Sequence, residues 1–217
     1  MAKLEYAIGD ATNPQVDGEK IICHICNDKG RWGAGFVLAL SKKWPEPEHN
    51  YLNMSSRCLG DATFTAVDND ITVVNMIAQH DTQFDNEGNA PVRYGALYKC
   101  LDKVARYARI SNNASVHMPL IGCGLAGGYW PAVKSIITET LLDAGVDVYV
   151  YLWEPTVADF MMIEPKASIH TFLNGEFAGD PGSPEFYHIE PWKIDAIQHE
   201  EGIRWNLDVH KSSPLAE

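Results

Sequence analysis

Strand-like and helix-like segments alternate along the first 154 residues of the chain. Apolar, β-branched runs at 19–26 and 146–153 are typical of buried strands. Tyr94–Ile110 instead places its apolar residues three and four positions apart, as one face of a helix requires. Further strands are predicted at 4–8, 61–67, 71–78 and 115–120, and further helices at 36–44 and 131–144. The alternation predicts an α/β domain over residues 1–154, with a mostly parallel sheet covered on both faces.

Residues 155–217 differ in composition from the segment before them. This stretch carries 11 acidic and 4 basic residues, and residues 180–184 (DPGSP) mark a loop. Residues 168–173 and 204–209 alternate in the manner of short strands. The stretch also contains two tryptophans, whereas disordered segments contain few aromatic residues. We therefore predict a second region at 155–217, a small, acidic, β-rich extension.

The formal net charge of the chain is −12. So acidic a surface repels phosphate backbones, and direct sequence-specific nucleic-acid binding is not expected. An anionic ligand would have to be held by main-chain N–H groups and helix N-termini rather than by a basic patch. No run approaches the roughly 20 apolar residues that a membrane span needs, so a membrane partner is not expected either.

The five cysteines are odd in number, which does not suit a disulfide framework in a chain of 217 residues. Cys23 and Cys26 form a C-x-x-C motif within a strand-like run, and residues three apart on a strand point to opposite faces. Buried, reduced thiols are therefore favoured over a redox or zinc site, and no metal or cofactor is predicted. Reduced cysteines and an N-terminus without a secretory signal favour a cytoplasmic location. The oligomeric state is left open.

Three glycine-containing loops follow predicted strands, where parallel α/β sheets bind their ligands. The first loop is 9–12, the second is 27–35 and the third is 121–128. Four glycines in the third loop allow its N–H groups to turn toward a common point, and the following helix adds its positive N-terminal end. A tight strand-to-helix connection would also use glycine, but two loops that each open a helix favour phosphate binding. Neither a P-loop nor a dinucleotide-binding glycine motif is present.

The sequence around these loops resembles the macro-domain family. The matching segments are GDATNP at 9–14, ICHICNDKGRWGAG at 22–35 and SVHMPLIGCGL at 115–125, in the family's order over about residues 3–154. The branch it resembles contains the macro domain of a chromatin remodeller and the terminal ADP-ribose protein glycohydrolase. The resemblance implies a three-layer α/β/α fold with a mixed, mostly parallel six-stranded sheet. It also implies ADP-ribose, or an ADP-ribosylated macromolecule, as the ligand.

The resemblance assigns ligand binding mainly to the three loops. By likeness, Asp10 binds the adenine amino group with help from the main chain at Ala11. The other predicted ligand-binding residues are Asn27, Gly33, Ala34, Gly35, Phe36, Gln79, Ile121, Gly122, Cys123, Gly124, Leu125, Ala126 and Trp153. Either Tyr151 or Trp153 is implied to cover the adenine, although core packing of the first and edge packing of the second explain them as well.

The glycohydrolase branch uses a lysine and an aspartate that this chain lacks. Gln79 and Ala126 occupy the corresponding positions, and they can neither form a Schiff base nor transfer a proton. Likeness to the yeast phosphatase that acts on ADP-ribose 1″-phosphate suggests His24 as a general base, although a hydrogen-bonded core histidine is the simpler interpretation. Other candidates to activate water near the distal ribose, all of which also suit ordinary loop positions, are His80, Asp28 and Asp81.

Three functions fit the sequence. The chain is either an enzyme that hydrolyses ADP-ribosyl linkages or ADP-ribose 1″-phosphate, or a reader that binds ADP-ribose without turnover. The third possibility is an interaction protein whose acidic extension at 155–217 docks a partner. Binding of ADP-ribose through main-chain amides of two glycine-rich loops is common to the first two.

Overall fold

The computed structural model describes residues 2–153 and two later strands, and forms two compact units. One unit comprises Met1–Glu5 and Asp10–Tyr151, and the other comprises Tyr6–Gly9 and Leu152–Glu217. The strands are β1 (Leu4–Ile8), β2 (Lys20–Asn27), β3 (Ala62–Asp68), β4 (Ile71–Gln79), β5 (Ser115–Pro119), β6 (Val148–Leu152), β7 (Asp195–His199) and β8 (Gly202–Asn206). The helices are α1 (Phe36–Lys43), α2 (Glu46–Leu52), α3 (Tyr94–Ile110) and α4 (Trp130–Ile137).

Six strands form one mixed sheet in the order β1-β6-β5-β2-β4-β3. Strand β2 runs parallel to both β4 and β5, and β5 runs parallel to β6. Strand β3 pairs antiparallel with β4, as the predicted hairpin requires. The carboxyl ends of β2, β4 and β5 therefore meet at one edge, and the second and third loops both leave from that edge.

Helices cover both faces of this sheet, which gives the predicted three-layer arrangement. Alternation along β4 sends Val73 toward α1, where it packs with Ile22 and Leu40 in one buried cluster. The neighbouring Thr72 points the other way, and its hydroxyl lies 3.4 Å from the hydroxyl of Tyr107 on α3. Both faces of the central strand β4 are therefore covered, which agrees with the burial of consecutive residues from Val73 to Ala78.

The second unit contributes a small antiparallel hairpin, in which β7 pairs with β8 from Asp195↔Asn206 to His199↔Gly202. Strand β8 overlaps the predicted strand at 204–209. The predicted strand at 168–173 and the loop at 180–184 lie outside the described residues. The division of the chain at residue 154 stays a prediction.

Two helical features differ from those expected. The short helix α2 was not predicted, although Pro47 and the acidic Glu46 and Glu48 in its first turn are typical of helix starts. The helix predicted at 131–144 ends its α-helical part at Ile137 and continues as a π-helical turn, Thr138–Leu142. Side-chain hydroxyls there compete for the ladder carbonyls, because Thr138 bonds to Lys134 O and Thr140 to Ile136 O.

Two buried histidines couple folding to pH. Burial lowers the pKa of His24 to about 4, and burial together with the charge of Lys20 lowers the pKa of His117 to about 3. Below pH ~6.5 the unfolded chain protonates both rings while the folded chain keeps them neutral. Stability that is fully present above that pH is therefore lost as the pH falls toward 4, by up to about 1.4 kcal/mol per pH unit from each ring.

Denaturant unfolding between pH 7 and 4.5 tests this coupling. The free energy of unfolding is expected to fall steeply below pH ~6. A His117→Gln variant, which cannot titrate at this position, should show about half of the slope. A His49→Gln variant is the control, because His49 is exposed on α2 and should leave the slope unchanged. Equal slopes in all three proteins would contradict the assignment.

Candidate functional site

The second loop is shaped by the side chain of Asn27 at the end of β2. Its Oδ1 accepts hydrogen bonds from the N–H groups of Lys29 and Arg31, each at 3.0 Å, and from the hydroxyl of Tyr51 at 3.0 Å. Its Nδ2 donates to Arg31 O at 2.6 Å. These bonds hold the second loop in shape, and the ligand-binding role of Asn27 stays a prediction.

Exposed N–H groups follow in the second half of this loop. Gly33, Ala34 and Gly35 are exposed, and their N–H groups have no acceptor within residues 2–153. Gly35 is the N-cap of α1 with φ of +74° and no side-chain cap, so the helix presents its first N–H groups to solvent. Phe36 is half-buried and packs on the core beneath. This end of α1 therefore has the unpaired N–H groups with which helix N-termini can bind anions.

The third loop closes on itself through main-chain hydrogen bonds. Cys123 N donates to Leu120 O at 3.2 Å, Gly127 N to Gly124 O at 3.0 Å and Gly128 N to Gly122 O at 2.7 Å. Within the described residues, four N–H groups of the loop lack an acceptor: those of Gly122, Gly124, Leu125 and Ala126. The loop thus keeps a fixed shape while leaving donors unpaired.

The second and third loops approach each other through Leu125. A Cβ built on Gly35 would lie 3.7 Å from Leu125 Cδ1, so the Leu125 side chain reaches the start of α1. Leu125 is nevertheless 71% exposed. The unpaired donors of the second loop, Gly33–35, and those of the third loop, Gly122, Gly124, Leu125 and Ala126, therefore lie on facing loops.

The first loop is anchored to α1. Asp10 Oδ1 accepts the N–H of Thr12 at 2.8 Å, which leaves Oδ2 of this half-buried carboxylate without a partner among residues 2–153. Lys43 Nζ donates to Thr12 O at 2.7 Å. Ala11 is buried next to Asp10. The carboxylate predicted to bind an amino group thus retains one free oxygen.

Asp28 and His80 form a pair at the ends of β2 and β4. His80 Nδ1 lies 2.6 Å from Asp28 Oδ2, and Asp28 Oδ1 accepts the N–H of Asp81 at 3.0 Å. Burial raises the pKa of Asp28, but the hydrogen bonds from Asp81 and His80 and the charge of Lys29 outweigh it, so that the pKa is lowered overall. Asp28 is therefore ionised at neutral pH.

Three of the predicted residues are occupied by contacts within the fold. His24 is buried, with Nε2 at 2.6 Å from Asn75 Oδ1, a placement that suits a core residue. Gln79 Nε2 donates to Asp81 O at 2.8 Å. Tyr151 is buried and its hydroxyl lies 3.1 Å from His117 Nδ1. The catalytic or binding roles assigned to His24 and Gln79 stay predictions.

Other predicted residues take different positions. Cys123 is half-buried, and burial raises the pKa of its thiol to about 12, so the thiol is protonated at neutral pH. Ile121, the first residue of the third loop, is buried. Trp153 is 69% exposed and belongs to the second unit. Cys23 and Cys26 are buried free thiols.

Sequence reasoning missed residues that support the site. Arg31 Nη1 binds Asp81 Oδ1 and Thr82 Oγ1, both at 2.8 Å, and so ties the second loop to the segment after β4. Phe84 covers Gly127, because a Cβ there would lie 2.6 Å from the Phe84 ring. No local signal identifies these contacts, since each joins residues more than forty positions apart. Residues 2–153 contain no helix that could cross a membrane.

Several curated relatives match the sequence, whereas no family model does. A chromodomain-helicase-DNA-binding protein 1-like from Mus musculus is 30% identical over 161 residues, 68% of this chain. The match spans only 17% of the length of that relative. An ADP-ribose 1″-phosphate phosphatase from Candida albicans is 24% identical over 144 residues, 63% of this chain and 92% of the relative.

Solved structures match over a similar share of the chain. A protein of unknown function from Bacteroides thetaiotaomicron is 47% identical, with a TM-score of 0.67, and the alignment covers 69% of this chain and 98% of that one. A macrodomain protein from Streptomyces coelicolor is 43% identical, with a TM-score of 0.59, over 69% of this chain. Because this chain is 43% identical to the Streptomyces coelicolor macrodomain protein and the alignment covers 99% of that protein, the chain belongs to the macrodomain family.

Proposed function

We propose that this chain binds ADP-ribose or a close derivative through the main-chain amides of its second and third loops. The observation that carries the proposal is a pair of donor sets on facing loops, whose N–H groups have no acceptor within residues 2–153: those of Gly33, Ala34 and Gly35, and those of Gly122, Gly124, Leu125 and Ala126. A diphosphate between the loops would satisfy both sets at once.

The charge of the chain supports this mode of binding. With a net charge of −12, the protein offers a dianionic ligand no long-range attraction. Hydrogen bonds to a charged acceptor contribute about 1.5–3 kcal/mol each. Four or five of them would approach the ~8 kcal/mol that a micromolar Kd represents, before the cost of ordering the ligand. Main-chain donors can therefore supply a large part of the binding energy without a basic patch.

Relatives support the adenosine diphosphate ribose portion as the ligand. The Candida albicans relative is named as a phosphatase of ADP-ribose 1″-phosphate, and this chain matches 92% of its length. In this chain, the free oxygen of Asp10 is suited to accept a hydrogen bond from the adenine amino group. The ligand would then lie with its adenine at the first loop and its diphosphate between the second and third loops.

Isothermal titration calorimetry of the full chain with ADP-ribose tests the proposal. We expect a Kd in the micromolar range or tighter, with one site per chain. AMP is the matched control ligand, because it keeps the adenine but lacks the diphosphate, and it should bind at least tenfold more weakly. Absence of measurable heat with ADP-ribose at millimolar concentration would exclude the proposal. Product analysis of the same mixture separates a reader from an enzyme.

A further inference from the structure

We propose that His80, held by Asp28, is the general base of a hydrolysis reaction at this site, in place of the lysine and aspartate of the related glycohydrolases. The inference rests on the proposed binding of ADP-ribose and adds a reaction to it. Because Gln79 and Ala126 occupy the positions of that lysine and aspartate, a hydrolase of this sequence needs a different proton acceptor.

The geometry of the pair selects one tautomer of the imidazole. Asp28 Oδ2, an ionised acceptor, lies 2.6 Å from His80 Nδ1, so Nδ1 carries a proton, and in the neutral ring Nε2 then presents its lone pair. Nε2 has no hydrogen-bond partner among residues 2–153. The side chain of His80 is 43% exposed, while that of Asp28 is only 14% exposed. The mostly buried carboxylate of Asp28 thus orients the partly exposed ring of His80, whose Nε2 remains available to a water molecule.

Main-chain hydrogen bonds place the pair between the two glycine loops. Asp28 N donates to Gln79 O at 2.9 Å, which joins the start of the second loop to the end of β4. His80 N donates to Pro91 O at 2.8 Å, and Val92 N donates to Ala126 O at 3.2 Å. His80 is therefore linked to the second loop on one side and, through residues 91–92, to the third loop on the other.

The reaction that such a base supports is attack of water on C1″ of the distal ribose. His80 Nε2 takes a proton from the water, and the water oxygen forms a bond to C1″. The bond from C1″ to the leaving oxygen breaks, and its electron pair departs with the leaving group. ADP-ribose is released with a C1″ hydroxyl, and His80 returns the proton to solvent.

Ala126 supplies no proton at the position where the related glycohydrolases have an aspartate, and this restricts the leaving group. A carboxylate or a phosphate is stable as an anion and departs without a proton, whereas an amine or an alkoxide requires one. The substrate is therefore an ester at C1″, in which the oxygen bonded to C1″ belongs either to a carboxyl side chain or to inorganic phosphate. Separate assays of an ADP-ribosyl-glutamate peptide and of ADP-ribose 1″-phosphate distinguish the two sources.

Two variants test the pair. Asp28→Asn replaces the acceptor by an amide that can donate to Nδ1, which favours the tautomer with a protonated Nε2. His80→Gln removes the base. Each is expected to lower kcat about 10²- to 10⁴-fold, the range for loss of a general base, with a Kd for ADP-ribose within threefold of the wild type. The matched controls are Asp102→Asn and His49→Gln, which alter exposed residues on α3 and α2.

A pH profile separates catalysis from a structural role. The pH dependence of kcat in the wild type should differ from that of the residual activity of His80→Gln, which has no ring nitrogen at this position to accept a proton. The charged group in contact with the ring is Asp28, whose Oδ1 lies 3.8 Å from Lys29 Nζ, and the carboxylate of the next residue, Asp81, pairs with Arg31.

The binding and activity measurements have four informative outcomes. Wild-type protein that binds ADP-ribose but leaves both substrates intact overturns the inference and retains the proposed function. Variants that keep the kcat and pH profile of the wild type also overturn it. Failure of the wild type to bind ADP-ribose removes the proposed function and the inference together. Loss of kcat in both variants, with Kd and melting temperature preserved, supports it.

Discussion

Replacing Gly128 with alanine is expected to open the third loop and to weaken ADP-ribose binding at least tenfold. A Cβ at this position would lie 2.5 Å from Gly122 O and 3.2 Å from Val92 Cγ1. The carbonyl of Gly122 also accepts the Gly128 N–H at 2.7 Å, so the clash falls on the bond that closes the loop. Misplacing even one or two donors to a charged ligand costs about 1.5–3 kcal/mol each, and ~1.4 kcal/mol is tenfold in Kd.

Calorimetry of the Gly128→Ala variant, with its melting temperature measured in parallel, checks this expectation. Gly95→Ala is the control, because a Cβ at Gly95 meets nothing within 4 Å and the residue lies at the start of α3. That control should bind ADP-ribose as the wild type does. A folded Gly128→Ala protein with unchanged affinity would show that the third loop does not hold the diphosphate.

An Asn27→Ala variant is expected to lose about 2–4 kcal/mol of folding free energy. The substitution removes an acceptor for two N–H groups and for the buried hydroxyl of Tyr51, together with a donor to Arg31 O. Neutral hydrogen bonds contribute ~1 kcal/mol each, and a buried group left unpaired costs ~1–3 kcal/mol. Tyr51 retains its bond to Asn27 O at 2.7 Å, which limits the loss.

Guanidinium unfolding measures this loss directly. Asn69→Ala is the matched control, because Asn69 is exposed in the turn between β3 and β4 and its side chain has no hydrogen bond among residues 2–153. Its effect should stay within ~0.5 kcal/mol. We also expect Asn27→Ala to weaken ADP-ribose binding, since the same loop positions Gly33–35. An Asn27→Ala protein as stable as the control would contradict the role of Asn27.

The sequence predicted the elements of the fold more fully than their contacts. Helix α3 begins and ends at the predicted residues, because its apolar stripe repeats over 17 residues. The hairpin β3–β4 and the strands β2, β5 and β6 follow from short apolar runs bounded by turn residues. Helix α2, with only seven residues and a single turn of acidic signal, was too short for its periodicity to register.

The candidate site divides in the same way. The glycine-rich second and third loops could be identified from the sequence, because this identification needs only the residue types and their place after a predicted strand. The pairing of Asp28 with His80 could not, since it joins residues 52 positions apart. It depends on the parallel register that sets Asn27 opposite Gln79.

What the sequence by itself determined was therefore the alternating architecture, the family and the loops that carry main-chain donors, all of which depend on local pattern. Only the tertiary structure decided which side chains remain available. Folding bonded the amide of Asn27 to the second loop and buried His24 against Asn75, while it left His80 Nε2 and the N–H groups of Gly122, Gly124, Leu125 and Ala126 without a partner among residues 2–153. The physical reason is that hydrogen-bond satisfaction is settled by neighbours in space, which a strand register brings together from distant parts of the chain.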